Sequence, residues 1–149
     1  MENRIKQAIK LYRDGYNCAQ AIVGAFEDKL GKDTPTLMDL ASGFGGGMGR
    51  LQHTCGAVTG SFMVMSTLSK KNHPCAQDKL DEDIQHFARR FTGAFGELNC
   101  RGLLGYNLNS PKEREQAHKQ EAFERYCEKY IEFSIQTLEE ILSQNAPHQ

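Results

Sequence analysis

An all-α fold is what this sequence predicts: a single-domain bundle of six or seven helices interrupted by a glycine-rich loop. Three observations predict it. Apolar residues recur at three- and four-residue spacing along most of the chain, and glycine, proline and helix-capping residues separate the stripes. With 149 residues, 39% of them hydrophobic and no internal repeat, the chain has the apolar material for one core, so residues 1–149 are read as one domain.

The first helix covers residues 2 to 13 on the stripe Ile5, Ala8, Ile9 and Tyr12, and stops at Asp14-Gly15. Asn17 then offers an N-cap with Gln20 at capping-box spacing, and Ile22, Ala25 and Phe26 form the stripe of a second helix ending near Gly31. Thr36, or Thr34-Pro35, opens a short third helix through Met38, Leu40 and Ala41. The run Gly43-Phe44-Gly45-Gly46-Gly47-Met48-Gly49, with five glycines in seven residues, is expected to forbid regular structure. Thr54 is placed as the cap of a helix through Ala57, Val58, Phe62, Met63, Met65 and Leu68, apolar over most of its circumference and therefore central.

Lys70-Lys71-Asn72-His73-Pro74 reads as a surface loop. The stripe Leu80, Ile84, Phe87, Ala88, Phe91 and Phe95 reads as a helix from about Asp78 to Phe95. Gly96 to Leu98 is expected to be extended, and Asn99 to cap a short turn carrying Cys100, Leu103 and Leu104 up to the stop at Gly105. Ser110-Pro111 begins a charged stretch, and Phe123, Tyr126, Cys127, Tyr130, Ile131, Ile135, Leu138, Ile141 and Leu142 give the last stripe.

Charge and hydropathy exclude several functions. Eighteen basic side chains against 19 acidic ones create no field for nucleic acid or an acidic membrane, and no five like charges are contiguous. The start Met1-Glu2-Asn3-Arg4 is polar, and no apolar run approaches the roughly 18 residues that span a bilayer, so a cytoplasmic protein is expected. The glycine run lacks Gly-x-Gly-x-x-Gly spacing, follows no strand and has no Lys-Ser/Thr sequel, which removes the dinucleotide and P-loop readings. Met63 and Met65 read as core, the arginines Arg89, Arg90, Arg101 and Arg114 as scattered, and His86, His118 and His148 as surface.

The cysteines carry the chemistry. Cys18, Cys55, Cys75, Cys100 and Cys127 are an odd number with no Cys-x-x-Cys pair, and a reducing compartment argues against structural disulfides. Three of them follow a preferred capping residue directly, as Asn17-Cys18, Thr54-Cys55 and Asn99-Cys100. At a helix's first turn the unpaired N–H groups and the dipole favour the thiolate, which is both the nucleophile and the metal ligand. The glycines ahead of Cys55 offer bare backbone that can approach a sulfur, a cluster or an anion, so Gly45, Gly46, Gly47 and Gly49, with Gly56 just after that cysteine, are expected to bind a cofactor in the same site. His53, two residues before Cys55, could stabilise that thiolate or stand in solvent. On periodicity alone Cys127, in the middle of an apolar stripe, reads as core.

In order along the chain, Gly15-Tyr16-Asn17-Cys18-Ala19-Gln20, Gly45-Gly46-Gly47-Met48-Gly49, Cys55-Gly56-Ala57-Val58-Thr59-Gly60, Asn99-Cys100-Arg101 and Cys127 resemble the redox-active proteins labelled C_GCAxxG_C_C, with four cysteines and a CGAxxG motif. The resemblance spans nearly the whole chain. It implies a small helical protein with a redox role, selects Cys18, Cys55, Cys100 and Cys127, and leaves Cys75 as an incidental loop thiol. The domain is also similar to the part of split-Soret cytochromes associated with an iron–sulfur centre. Without Cys-x-x-Cys-His, covalent haem is not expected.

Three chemistries follow. In the first, a low-pKa thiolate at Cys18 or Cys55 exchanges with a disulfide or oxidant and a neighbouring cysteine resolves the product, or the four cysteines otherwise pass electrons to an unidentified redox partner. In the second, Cys18, Cys55, Cys100 and Cys127 bind an iron–sulfur cluster for electron transfer. In the third, they hold a structural zinc ion, ranked below the others because zinc sites usually show close cysteine pairs. A homodimer is the default assembly.

Overall fold

The computed structural model describes residues 1–69 and 74–145, and the expectations for Lys70 to His73 and for His148 lie outside them. The helices are α1 (Glu2–Arg13), α2 (Cys18–Ala25), α3 (Glu27–Leu30), α4 (Thr34–Ala41), α5 (Gly56–Leu68), α6 (Ala76–Phe95), α7 (Cys100–Leu104), α8 (Pro111–Lys119) and α9 (Glu128–Gln144). A wide turn, Phe123–Cys127, leads into α9. Among the described residues there is no strand, so the chain is all-α; a single antiparallel bridge joins Thr54 to Asn99.

α2 and α5 form the centre. α2 is buried along nearly its whole length, and Ala57, Val58, Val64 and Met65 bury α5. Their close approach depends on a missing side chain: a Cβ at Gly60 would lie 2.8 Å from Ala19 O and 3.0 Å from Ala19 Cα. Around this pair pack α1, α6 and α9, with Phe87, Phe91, Ile131, Ile135 and Leu138 fully buried. Each such side chain contributes about 1.5–3 kcal/mol by leaving water. Phe91, Phe95, Tyr130 and Phe133 form an aromatic cluster with centroid separations of 4.8–6.0 Å.

A smaller apolar cluster of Leu104, Leu108, Ala117 and Ala122 sits beside this core, built by α7, α8 and the segment leading to the wide turn. Tyr130 anchors α7 to the main core, its hydroxyl donating to Leu103 O at 2.6 Å.

Three boundaries differ from the expected ones. The second helix does not run unbroken to Gly31: Phe26, at φ −104° and ψ 21°, ends it, and the freed carbonyl of Ala25 accepts from Arg4 Nη1 at 2.8 Å. Thr54 does not cap α5, because it is held in the bridge to Asn99; Cys55 is itself the N-cap and the helix begins at Gly56. The glycine run is not an irregular loop: Gly46, Gly47, Met48, Gly49 and Arg50 have φ of +63°, +64°, +67°, +60° and +62°, one left-handed turn. Left-handed turns cost about 1–2 kcal/mol per L-residue, so glycine in most of these positions is what makes it affordable.

The contrast between Gly60 and Gly93 checks this packing. Gly93 lies in α6 with nothing within 4 Å of a Cβ, so Gly93→Ala should raise stability by about 1 kcal/mol through helix propensity. Gly60→Ala gains the same propensity but drives a methyl into the α2 backbone, and should lower stability by about 1–3 kcal/mol. Urea denaturation of both variants measures the difference in sign.

Candidate functional site

Cys18, Cys55, Cys100 and Cys127 all line one cavity of about 650 Å³, and the walls between them include Gly45, Gly46, Gly49 and Gly56. The cavity lies in the seam between the two apolar clusters. Cys18 and Cys55 belong to the α2–α5 side, whereas Cys100 and Cys127 pack against the smaller cluster. Gly47 is not on this wall; it is buried beneath, where a Cβ would come within 2.6 Å of Gln52 Cα and His53 O. Cys75, exposed at the start of α6, lines a different cavity.

Cys18 opens α2, and its cap is a complete capping box: Asn17 Oδ1 accepts from Gln20 N at 2.9 Å and Gln20 Oε1 from Asn17 N at 3.0 Å. Cys55 stands opposite. The residue after it must be glycine, because a Cβ at Gly56 would overlap Cys18 Sγ and crowd Phe44 O at 3.0 Å. The thiol of Cys55 donates to Cys18, and the N–H groups of Gly46, Ala19 and Cys18 itself also donate to that sulfur.

Cys100 is brought beside Cys55 by backbone pairing. Cys55 N donates to Leu98 O at 2.7 Å, Cys100 N to His53 O at 2.7 Å and Arg101 N to Gln52 O at 3.1 Å. Gln52 seals this side: it is buried, its Nε2 donates to Tyr106 O at 2.7 Å and reaches Cys100 Sγ at 3.9 Å, and its Oε1 accepts from Leu108 N at 2.9 Å. Cys127 ends the wide turn before α9, and the hydroxyl of Tyr12 on α1 donates to its sulfur.

These surroundings separate the four thiols electrostatically. The Cys18 thiol falls from 9.0 to about 7, chiefly through the hydrogen bond from Cys55, against burial, with the backbone N–H groups adding to it. Cys55 is held protonated, first by donating to Cys18 and then by burial. Burial, and next the charge on Cys18, push Cys100 up to about 11 and Cys127 up to about 12. The expectation that three capped cysteines share a depressed pKa therefore holds for Cys18 alone. Asn99 precedes α7 without a side-chain cap bond, and Cys55 lies outside the first turn.

His53 contributes backbone, not imidazole: its side chain is exposed and does not border the cavity. His118, expected on the surface, is exposed and also borders the cavity, as do Tyr12, Arg50 and Arg114. Sequence reasoning missed Tyr12, Gln52 and Arg50. Tyr12 was visible only as part of a helical stripe, and nothing local marks Gln52 as buried. Among the described residues no three His, Cys, Asp or Glu side chains converge to hold one metal ion, so a single zinc ion does not fit the four cysteines as they stand.

Fold and site together define a small all-α protein whose four motif thiols meet in one cavity. The family model described as "Putative redox-active protein (C_GCAxxG_C_C)" matches residues 16–141, and the chain belongs to that family. Comparisons with curated proteins and with solved structures found no match.

Thiolate formation at Cys18 should follow pH. Alkylation of Cys18 by iodoacetamide, followed by peptide mass spectrometry, should rise through a midpoint near pH 7, while Cys100 and Cys127 stay unreactive at that pH. Cys55→Ala removes the largest stabilising donor and should move the midpoint upward. Because the folded value lies below the unfolded one, the Cys18 increment to stability is present above the unfolded thiol's pKa and is lost as pH falls through about 7.

Proposed function

We propose that this family member is a thiol–disulfide redox protein in which Cys18 is the attacking thiolate and Cys55 the resolving thiol. The observation that carries the reading is the hydrogen-bonded Cys18–Cys55 pair, one sulfur ionised near neutral pH and the other held as its donor. An attacking thiol works best with a pKa close to the ambient pH, where thiolate fraction and nucleophilicity are both high.

Cys18 Sγ attacks one sulfur of a substrate disulfide, forming a mixed disulfide and expelling the other substrate half as a thiolate. Cys55 Sγ then attacks Cys18 Sγ, its proton leaving with the second substrate half. The substrate disulfide gains two electrons and becomes a thiolate and a thiol, and the protein loses two electrons and gains the Cys18–Cys55 disulfide. Cys100 and Cys127, held protonated by burial, stay out of this exchange at neutral pH. A reducing cytoplasm would keep the pair in its dithiol form.

A second reading is favoured by one observation, the gathering of all four cysteines on the wall of a single cavity. A multi-iron cluster held by Cys18, Cys55, Cys100 and Cys127 would supply one-electron transfer. The Gly46 N–H, already donating to Cys18 Sγ, would then tune its potential.

Iron, zinc and acid-labile sulfide on protein purified without oxygen, with a visible spectrum and disulfide mapping after mild oxidation, test both readings. Metal-free protein that forms a Cys18–Cys55 disulfide is the expected result; iron with equivalent sulfide and visible bands replaces it by the cluster reading. Cys18→Ser should abolish exchange, and Cys55→Ser should accumulate the mixed disulfide with the fold nearly intact. Cys75→Ser should change neither, and a damaging Cys75→Ser would overturn the four-cysteine assignment.

A further inference from the structure

The charged side chains that line the cysteine cavity are arginines. Arg50, which closes the left-handed turn, and Arg114 and His118, four residues apart on α8, border it, and no aspartate or glutamate does. The side chains of Arg50 and Arg114 make no ion pair or hydrogen bond among the described residues, whereas Arg4, Arg13 and Arg90 each pair with a carboxylate. In a chain of net charge −1, two guanidinium groups without an ion pair among the described residues thus border the cavity that holds the thiols. Leu104, Leu108 and Phe123 supply apolar wall, and Tyr12, Asn17 and Ser42 line the cavity as uncharged polar groups.

From this arrangement we infer that the cavity admits an anionic small molecule, and that the substrate of the Cys18–Cys55 pair is a low-molecular-weight disulfide bearing carboxylates. The inference rests on the reading of those two cysteines as the reacting pair. A guanidinium offers a carboxylate two parallel N–H donors, fixing position as well as charge. A cleft lined by one sign of charge, with low-dielectric walls, concentrates opposite charges and raises association rates by about 10- to 1000-fold at low salt. The volume of about 650 Å³ lies inside the roughly 300–1,000 Å³ range of small-molecule sites. Carboxylates held at the rim would direct the sulfur–sulfur bond inward, toward Cys18.

The test mixes the reduced full chain with three disulfides of similar size: dithiodipropionate, which is anionic, hydroxyethyl disulfide, which is neutral, and cystamine, which is cationic. At low ionic strength the rate of Cys18 oxidation should fall in that order, by at least about tenfold from first to last. The spread should collapse at 1 M salt, where the Debye length is about 3 Å. It should also shrink in Arg50→Gln and Arg114→Gln and vanish in the double variant. Cystamine reacting as fast as dithiodipropionate, or an unchanged order in the double variant, overturns the inference.

A second measurement separates it from the reading beneath it. Alkylation of Cys18 by iodoacetate and by iodoacetamide, each rate divided by that with free mercaptoethanol, needs no disulfide exchange. Iodoacetate favoured about tenfold without any Cys18–Cys55 disulfide keeps the anion site and removes the disulfide substrate. Disulfide formation with no preference between the two reagents keeps the reacting pair and removes the anion site.

Discussion

The α2–α5 contact governs the rest of this structure, and two absent side chains make it. Without a Cβ at position 60 the backbone of α2 can lie against α5 at Ala19, and without one at position 56 the sulfur of Cys18 has room beside Cys55. The two glycines are four residues apart on one helix face, and Gly56 directly follows Cys55 at the N-cap. A single spacing therefore solves a packing problem and a chemical one. It brings the helices to contact distance and sets two sulfurs side by side at the point of closest approach. Gly56 and Gly60 are helix-weakening residues, at about 1 kcal/mol each relative to alanine, and the buried contact they permit offsets that cost.

The second constraint is the left-handed turn. Five successive residues with positive φ, Met48 and Arg50 among them, are a local strain that glycine only partly relieves. The turn is held by bonds across its ends, Gln52 N donating to Gly46 O at 3.1 Å and His53 N to Gly47 O at 3.0 Å. Gln52 in turn binds the smaller apolar cluster through Tyr106 and Leu108. The turn is thus a rigid wall joining the two halves of the seam. Its product for the site is specific: the N–H of Gly46 reaches Cys18 Sγ, and the side chain of Arg50 arrives at the cavity mouth.

Periodicity made the helical class legible, because stripes such as that of α9 are long and uninterrupted, and the capping box at Asn17 marked the start of α2 to the residue. The four motif cysteines were legible as a set, and the structure gathers them in one cavity. What remained hidden depends on partners distant in sequence. Thr54 has the residue type of a cap, yet its pairing with Asn99 across 45 positions removes it from the helix. The break at Phe26 is met by a guanidinium from α1, and the partner of Cys127 is Tyr12, 115 positions earlier. The left-handed turn escaped for a different reason: glycine density shows that the backbone needs freedom and leaves open which unusual conformation uses it.

Under the thiol–disulfide reading, the same contacts bias the direction of the redox step. The anion at Cys18 is stabilised by four donors, the Cys55 thiol and the N–H groups of Gly46, Ala19 and Cys18. A Cys18–Cys55 disulfide carries no charge and no thiol proton, so its formation removes the best of those donors and leaves the N–H groups facing a much weaker acceptor. Stabilisation of a thiolate belongs to the reduced state only, and a dithiol stabilised in this way makes its disulfide the more oxidising. Burial opposes this by disfavouring any charge in the cavity. The depressed value at Cys18 shows that the donors outweigh burial at that sulfur, while burial prevails at Cys100 and Cys127. The cavity is therefore divided between one sulfur prepared to carry charge and neighbours held neutral, a division that four equivalent thiols could not provide.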